Sequence, residues 1–156
     1  MTLHRYSLLV VFFLQLAFIY GCVQQPLPLQ GDAQEYVGIW EQGTYDEDDT
    51  YVYLQINAAG YLSYAHMIRE QHTTYCMAIM PVPIQEISAD KINASLFWKF
   101  TVDFEINRPP GDVNGVHTLV IDGHELIRTS TDAGVFEFEV TCDDGLVLAP
   151  ATQEPV

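Results

Sequence analysis

Histidines, cysteines and a surplus of carboxylates are the side chains here with the means to do chemistry. His66 and His72 flank the polar stretch Arg69-Glu70-Gln71 and can meet across a turn. His117 and His124 fall on one face of a hairpin but four residue rows apart. At ~3.4 Å per residue that is about 14 Å, whereas each ligand of one zinc ion sits ~2 Å from the metal. They cannot share an ion, and no metal site is expected. The acidic run Asp46-Glu47-Asp48-Asp49 lacks the D-x-[DN]-x-[DN]-G spacing of a calcium loop, so a solvated loop is the simpler reading. The chain has no G-x-S-x-G and no H-E-x-x-H. Cys76 lies in an apolar run, and carboxylate pairs such as Glu137 and Glu139 are too common here to mean much. No catalytic residue and no cofactor is expected, and the protein is expected not to be an enzyme.

Aromatics are the remaining signal. Tyr51, Tyr53, Tyr61, Tyr64 and Tyr75 cluster within 25 residues. If Val52 and Leu54 face a core, Tyr51 and Tyr53 point the other way, toward either a binding surface or a second core layer. Tyr51, Tyr53 and Tyr64 are therefore the candidate binding residues. Arg69 and Arg128 are rare cations, each most simply a local ion-pair partner.

These residues are positioned by short strands. Val52, Leu54 and Ile56 alternate with Tyr51, Tyr53 and Gln55, and Asn57-Ala58-Ala59-Gly60 turns the chain into a partner strand from Tyr61 to Ile68. Thr73 to Met80 is a further strand, which Pro81 and Pro83 are expected to stop or push to an edge. Short strands follow at Ile84 to Ile87 and Ile92 to Leu96. From Trp98 to Ile106, Phe100, Val102, Phe104 and Ile106 face one way, and the Pro-Pro-Gly stretch of residues 107–115 is expected to break the strand. Asp122-Gly123 is a strong hairpin signal that sets Ile121 opposite His124, Leu119 opposite Leu126 and His117 opposite Arg128. A last strand is expected from Val135 to Cys142. No stretch after residue 22 has a capped 3.6-residue period. The expected fold is all-β: one small antiparallel meander barrel or sandwich of about eight to ten short strands, after an N-terminal signal helix.

Residues 1 to 22 supply an address. His4 and Arg5 precede the apolar run Tyr6 to Tyr20, which ends in Ile19-Tyr20-Gly21-Cys22. This stretch resembles the signal of bacterial lipoproteins, an aliphatic residue, a variable one, a small Gly and then the Cys that becomes a diacylated N-terminus. The resemblance implies lipidation at Cys22 and export to the bacterial envelope. Val23, rather than Asp, after the Cys leans toward the outer membrane, with the domain on its periplasmic or surface face. Fifteen residues at ~1.5 Å give roughly 22 Å of helix, short of the ~30 Å hydrocarbon core that an uncleaved anchor would span. The implied organisation is a signal peptide at 1–21, a lipid anchor and flexible tether at 22–34, a β domain at 35–148 and a disordered tail at 149–156.

With Cys22 set aside, Cys76 and Cys142 remain, and in an exported protein an even pair suggests a disulfide, with two separate buried thiols as the alternative. The chain has 21 acids and six basic residues, a formal charge of −15; without residues 1–21, which contain Arg5 and no acid, it is −16. Such a field repels nucleic acid and favours basic partners or cations. The remainder also resembles, loosely, a set of small uncharacterised bacterial β-rich proteins in Val37-Gly38-Ile39-Trp40, Pro109-Pro110 and Asp122-Gly123-His124-Glu125-Leu126-Ile127-Arg128. That resemblance implies an order of strands and no activity.

The functional expectation is a membrane-attached envelope protein with a non-enzymatic β domain for binding or structural support. Two alternatives stay open: an acidic binder of a basic envelope-attacking protein, in the manner of lysozyme inhibitors, and a carrier of a small apolar ligand in an open barrel.

Overall fold

The protein is all-β, an eight-stranded antiparallel barrel in which each strand pairs with its neighbour in sequence and the last closes on the first. The computed structural model describes residues 26, 28–44, 49–70, 73–97, 100–134, 138–139 and 149–150. The strands are β1 (Gly38–Gln42), β2 (Thr50–Ile56), β3 (Tyr61–Glu70), β4 (Thr73–Ile87), β5 (Lys91–Phe97), β6 (Phe100–Val113), β7 (Val116–Ile121) and β8 (His124–Ser130). A barrel, rather than a sandwich, results because β1 pairs with both β2 and β8, which closes the eight-stranded sheet on itself. The expected signal helix and the expected lipidation site, Cys22, lie outside the described residues.

Directly opposed residues of a ladder share a face, so the interior can be followed from strand to strand. Trp40 opposes Leu54, Leu54 opposes Tyr64 and Tyr64 opposes Ile79. Ile84 opposes Ala94, Ile92 opposes Phe104, Ile106 opposes Ile121 and Leu119 opposes Leu126. These side chains form one cluster, in which Trp40, Leu54, Ile92, Leu119, Ile121 and Leu126 are wholly buried. Below its rim the barrel is filled by Trp40, Tyr64 and Phe104, the last two with ring centroids 5.0 Å apart.

The Asp122-Gly123 hairpin has the expected register, Ile121 to His124 and Leu119 to Leu126, with φ of +49° and +80° at its two turn residues. Two expected breaks are absent. Strand β4 runs through Pro81 and Pro83, with a register shift between Leu62 and Tyr64 of the facing strand. Pro81 falls in that bulge, and because the ladder with β5 starts only at Ile84, Pro83, opposite Tyr61, meets no β5 partner that would need its missing N–H. Strand β6 likewise continues through Pro109 and Pro110 by two register shifts, and the turn comes at Asn114-Gly115.

Part of the expected tether is docked. The Leu29 N–H donates to Ala58 O at 3.0 Å, Leu29 packs against the core, and Gly31–Tyr36 forms a 3-10 turn with Tyr36 buried. An apolar side chain there gains more from the core than the linker loses in freedom. Ala149–Pro150, expected in the tail, pairs with Phe138–Glu139; most of the expected strand from Val135 to Cys142 lies outside the described residues.

The barrel also has a buried outer layer. Tyr51, Tyr53, Ala65 and Met67 form a second cluster, with Ile39, Cys76 and Ala78 packed against it. Cys76 is disulfide-bonded. The chain's other cysteines, Cys22 and Cys142, lie outside the described residues. Replacing Cys76 by Ser is expected to lower stability by about 2–4 kcal/mol. Denaturant titration should show this gap between the variant and the oxidised protein, and dithiothreitol should abolish it.

Candidate functional site

The two ends of the barrel differ. The base carries the turns at Asn57-Gly60, Ser88-Asp90 and Asn114-Gly115, and the segment Leu29 to Tyr36 closes it. Trp40 Nε1–H donates to Tyr36 O at 2.9 Å, and Arg128 Nη2 donates to Glu35 O at 3.2 Å. The Arg128 guanidinium lies 4.6 Å from the Trp40 ring centroid, and the His117 ring is 5.7 Å from the same indole. His117 Nδ1 is 3.1 Å from Asp112 Oδ1. A cleft of about 630 Å³ lies here, lined by Gln34, Glu35, Pro110, Asp112, His117 and Arg128 among others. Desolvation pulls the Arg128 guanidinium below its ordinary pKa, against the opposing pull of Asp112 and Glu35. Among the described residues Arg128 Nε and His117 Nε2 are buried without a hydrogen-bond partner. Arg128, read from sequence as a local ion-pair partner, lies over an aromatic face and donates to a carbonyl, with the Asp112 and Glu35 carboxylates acting on it from nearby.

The opposite end is the mouth, where β3–β4, β5–β6 and β7–β8 turn. The ladder passes the inward face from Val52 to His66 and on to Met77, and from Thr50 to Ile68 and on to Tyr75. Because β5 pairs with β4 only from Ile84 onward, the β3–β4 hairpin stands above its neighbour and leaves Ile68, Tyr75 and Met77 uncovered. Ile68 is 37% exposed, Tyr75 57% and Met77 52%. Phe100 shares a face with Val102 and Phe104 on β6 and is 70% exposed. The mouth is an apolar rim above a filled interior.

Its floor is polar. The rings of His66 and His124 meet edge to face with centroids 4.7 Å apart, and His124 Nδ1 is 2.9 Å from Gln42 Oε1. His66 Nε2 is buried with no partner among the described residues. Burial, and secondarily the neighbouring His124, hold the His66 pKa below its ordinary 6.5. Beneath them, burial and then the Asp122 carboxylate push the Tyr64 hydroxyl up to about 12.

The depressed His66 pKa links stability to pH. Between 6.5 and the lower folded-state value the unfolded chain binds more protons, so stability falls as pH falls through that window. The denaturation midpoint should drop on going from pH 7.5 to 5.5, and His66→Gln should flatten that slope.

The candidate residues read from sequence are not brought together. Tyr64 faces the interior. Tyr51 and Tyr53 lie buried in the outer layer, where their hydroxyls donate to Glu41 Oε1 at 2.7 Å and Gln55 Oε1 at 2.8 Å. The tyrosine of that group that does reach an open surface is Tyr75. His72 lies outside the described residues, and His117 and His124 stand at opposite ends. No group of three His, Cys, Asp or Glu suited to a metal occurs among the described residues.

The His66–His124 contact had no sequence signal, since it joins strands 58 residues apart. No family model, curated protein or solved structure matches this chain.

Proposed function

We propose that this protein is a lipid-anchored, non-enzymatic barrel of the bacterial envelope that holds a small apolar ligand at its mouth. The rim carries this reading: four apolar side chains, Ile68, Tyr75, Met77 and Phe100, face inward yet are left in water. Covering such side chains is worth roughly 25 cal/mol per Å² removed from water, a recurring gain for any apolar guest. The filled interior limits the guest to the rim above Tyr64 and Phe104. The cleft at the base is lined instead by polar and charged side chains, Gln34, Glu35, Asp112, His117 and Arg128, and suits an apolar guest less well.

The lipoprotein-like signal supports the location. The seven residue steps from Cys22 to Leu29 span at most about 25 Å. An acyl anchor on Cys22 would thus keep the base toward the bilayer and the mouth away from it, free to load from the aqueous side.

Both parts can be tested on the full chain. With Cys22→Ala, or with globomycin, the precursor should stay unprocessed; normal processing and detergent partitioning in both would remove the anchor. The neutral fluorophore N-phenyl-1-naphthylamine should brighten on binding the purified protein held in an amphipathic polymer. Met77→Glu places a charge on the rim without disturbing the core and should weaken that binding at least about ten-fold. Equal binding by both proteins would sink the ligand reading.

A further inference from the structure

We propose that the mouth selects an uncharged amphiphile: an aliphatic chain that lies over Ile68, Tyr75, Met77 and Phe100, with a hydroxyl or amide head that hydrogen-bonds His66 Nε2. This rests on the mouth being a ligand site and names the class of ligand it takes.

The rim alone would accept any apolar chain, so the head is chosen by the floor. His124 Nδ1 is engaged by Gln42 Oε1, whereas His66 Nε2 is buried and unmatched among the described residues. A buried polar atom without a partner carries a penalty that an incoming hydrogen bond removes. A neutral imidazole nitrogen donates or accepts according to tautomer, and a hydroxyl or amide can answer either role.

A carboxylate head meets a chain of formal charge −15 and, near the floor, the Asp122 carboxylate that acts on Tyr64. An ammonium head suits the overall charge, but it would lose its hydration beside two imidazoles, in a place where burial already disfavours a proton on His66. An uncharged head avoids both costs.

Access is also built in. His66 stands directly across the ladder from Met77, half exposed and unbranched, with three rotatable bonds. That neighbour can change rotamer to make room beside the ring without moving backbone.

The test is displacement of N-phenyl-1-naphthylamine from the full chain by decan-1-ol, decanoate and decylammonium at pH 7.5, in 0.15 and 0.5 M salt. Decan-1-ol should displace the probe at concentrations about ten-fold or more below decanoate, independently of salt. Decylammonium should lose most of its effect at high salt, as expected of loose attraction to an acidic surface. His66→Leu should weaken decan-1-ol about five-fold, the worth of one neutral hydrogen bond, and His66→Gln, which still offers a donor and an acceptor, should restore most of the loss.

Decanoate equal to decan-1-ol, salt-resistant decylammonium binding at least as tight, or unchanged selectivity in His66→Leu would each overturn the assignment of the head while leaving an apolar mouth intact. Failure of the probe to bind the unaltered protein, or indifference of its binding to Met77→Glu, would remove the mouth itself and the head assignment with it.

Discussion

Gly38→Ala is expected to lower the unfolding free energy by about 3–5 kcal/mol, enough to remove a large share of the ~5–15 kcal/mol that holds a typical domain together. Gly38 opens β1 at φ +146°, a conformation that L side chains rarely adopt. A Cβ there would lie 2.6 Å from Ser130 O of β8 and 3.3 Å from Arg128 Cδ. Ser130 opposes Ile39 in the ladder that closes the barrel, so the carbonyl cannot retreat without opening the seam. Gly123, with φ +80° and open space around its Cβ position, is the control. Gly123→Ala should cost only about 1–2 kcal/mol of backbone strain. Urea titrations of the two variants should differ clearly in midpoint; equal losses would mean that close approach at the seam is not what Gly38 provides.

Trp40→Ala is expected to cost about 3–5 kcal/mol, because a wholly buried indole leaves a cavity that the rigid barrel wall cannot fill. The same ring is the floor on which Arg128 and His117 rest, so its loss strands two polar side chains at the base. Trp40→Phe separates the contributions. It keeps most of the packing but leaves Tyr36 O, which accepts the indole N–H at 2.9 Å, without that donor, a loss of about 1–3 kcal/mol. Denaturant titration reads both losses. Because Trp40 lies at the base, Trp40→Phe should leave probe binding at the mouth unchanged, whereas a parallel fall would show that the two ends are coupled.

These residues also show how far the chain could be read without coordinates. Alternation in Val52-Leu54-Ile56 and Phe100-Val102-Phe104-Ile106 names inward faces, and Asp122-Gly123 sets a register, because strand period and turn geometry depend on residues close together in the chain. The prolines misled for the same reason. Locally Pro81 and Pro109 look like breaks, and only the placement of bulges and of the unpaired upper edge of β4 makes them tolerable within strands.

What the sequence by itself determined was the all-β class, most inward faces, the one predicted hairpin register and the charge. Only the tertiary structure decided that β1 meets β8, that Tyr51 and Tyr53 belong to a buried outer layer, and that Tyr75 reaches the rim. It also brought His66 against His124 and laid Arg128 on Trp40. The physical reason is that each of these depends on closure and stagger of the whole sheet, which no local period encodes.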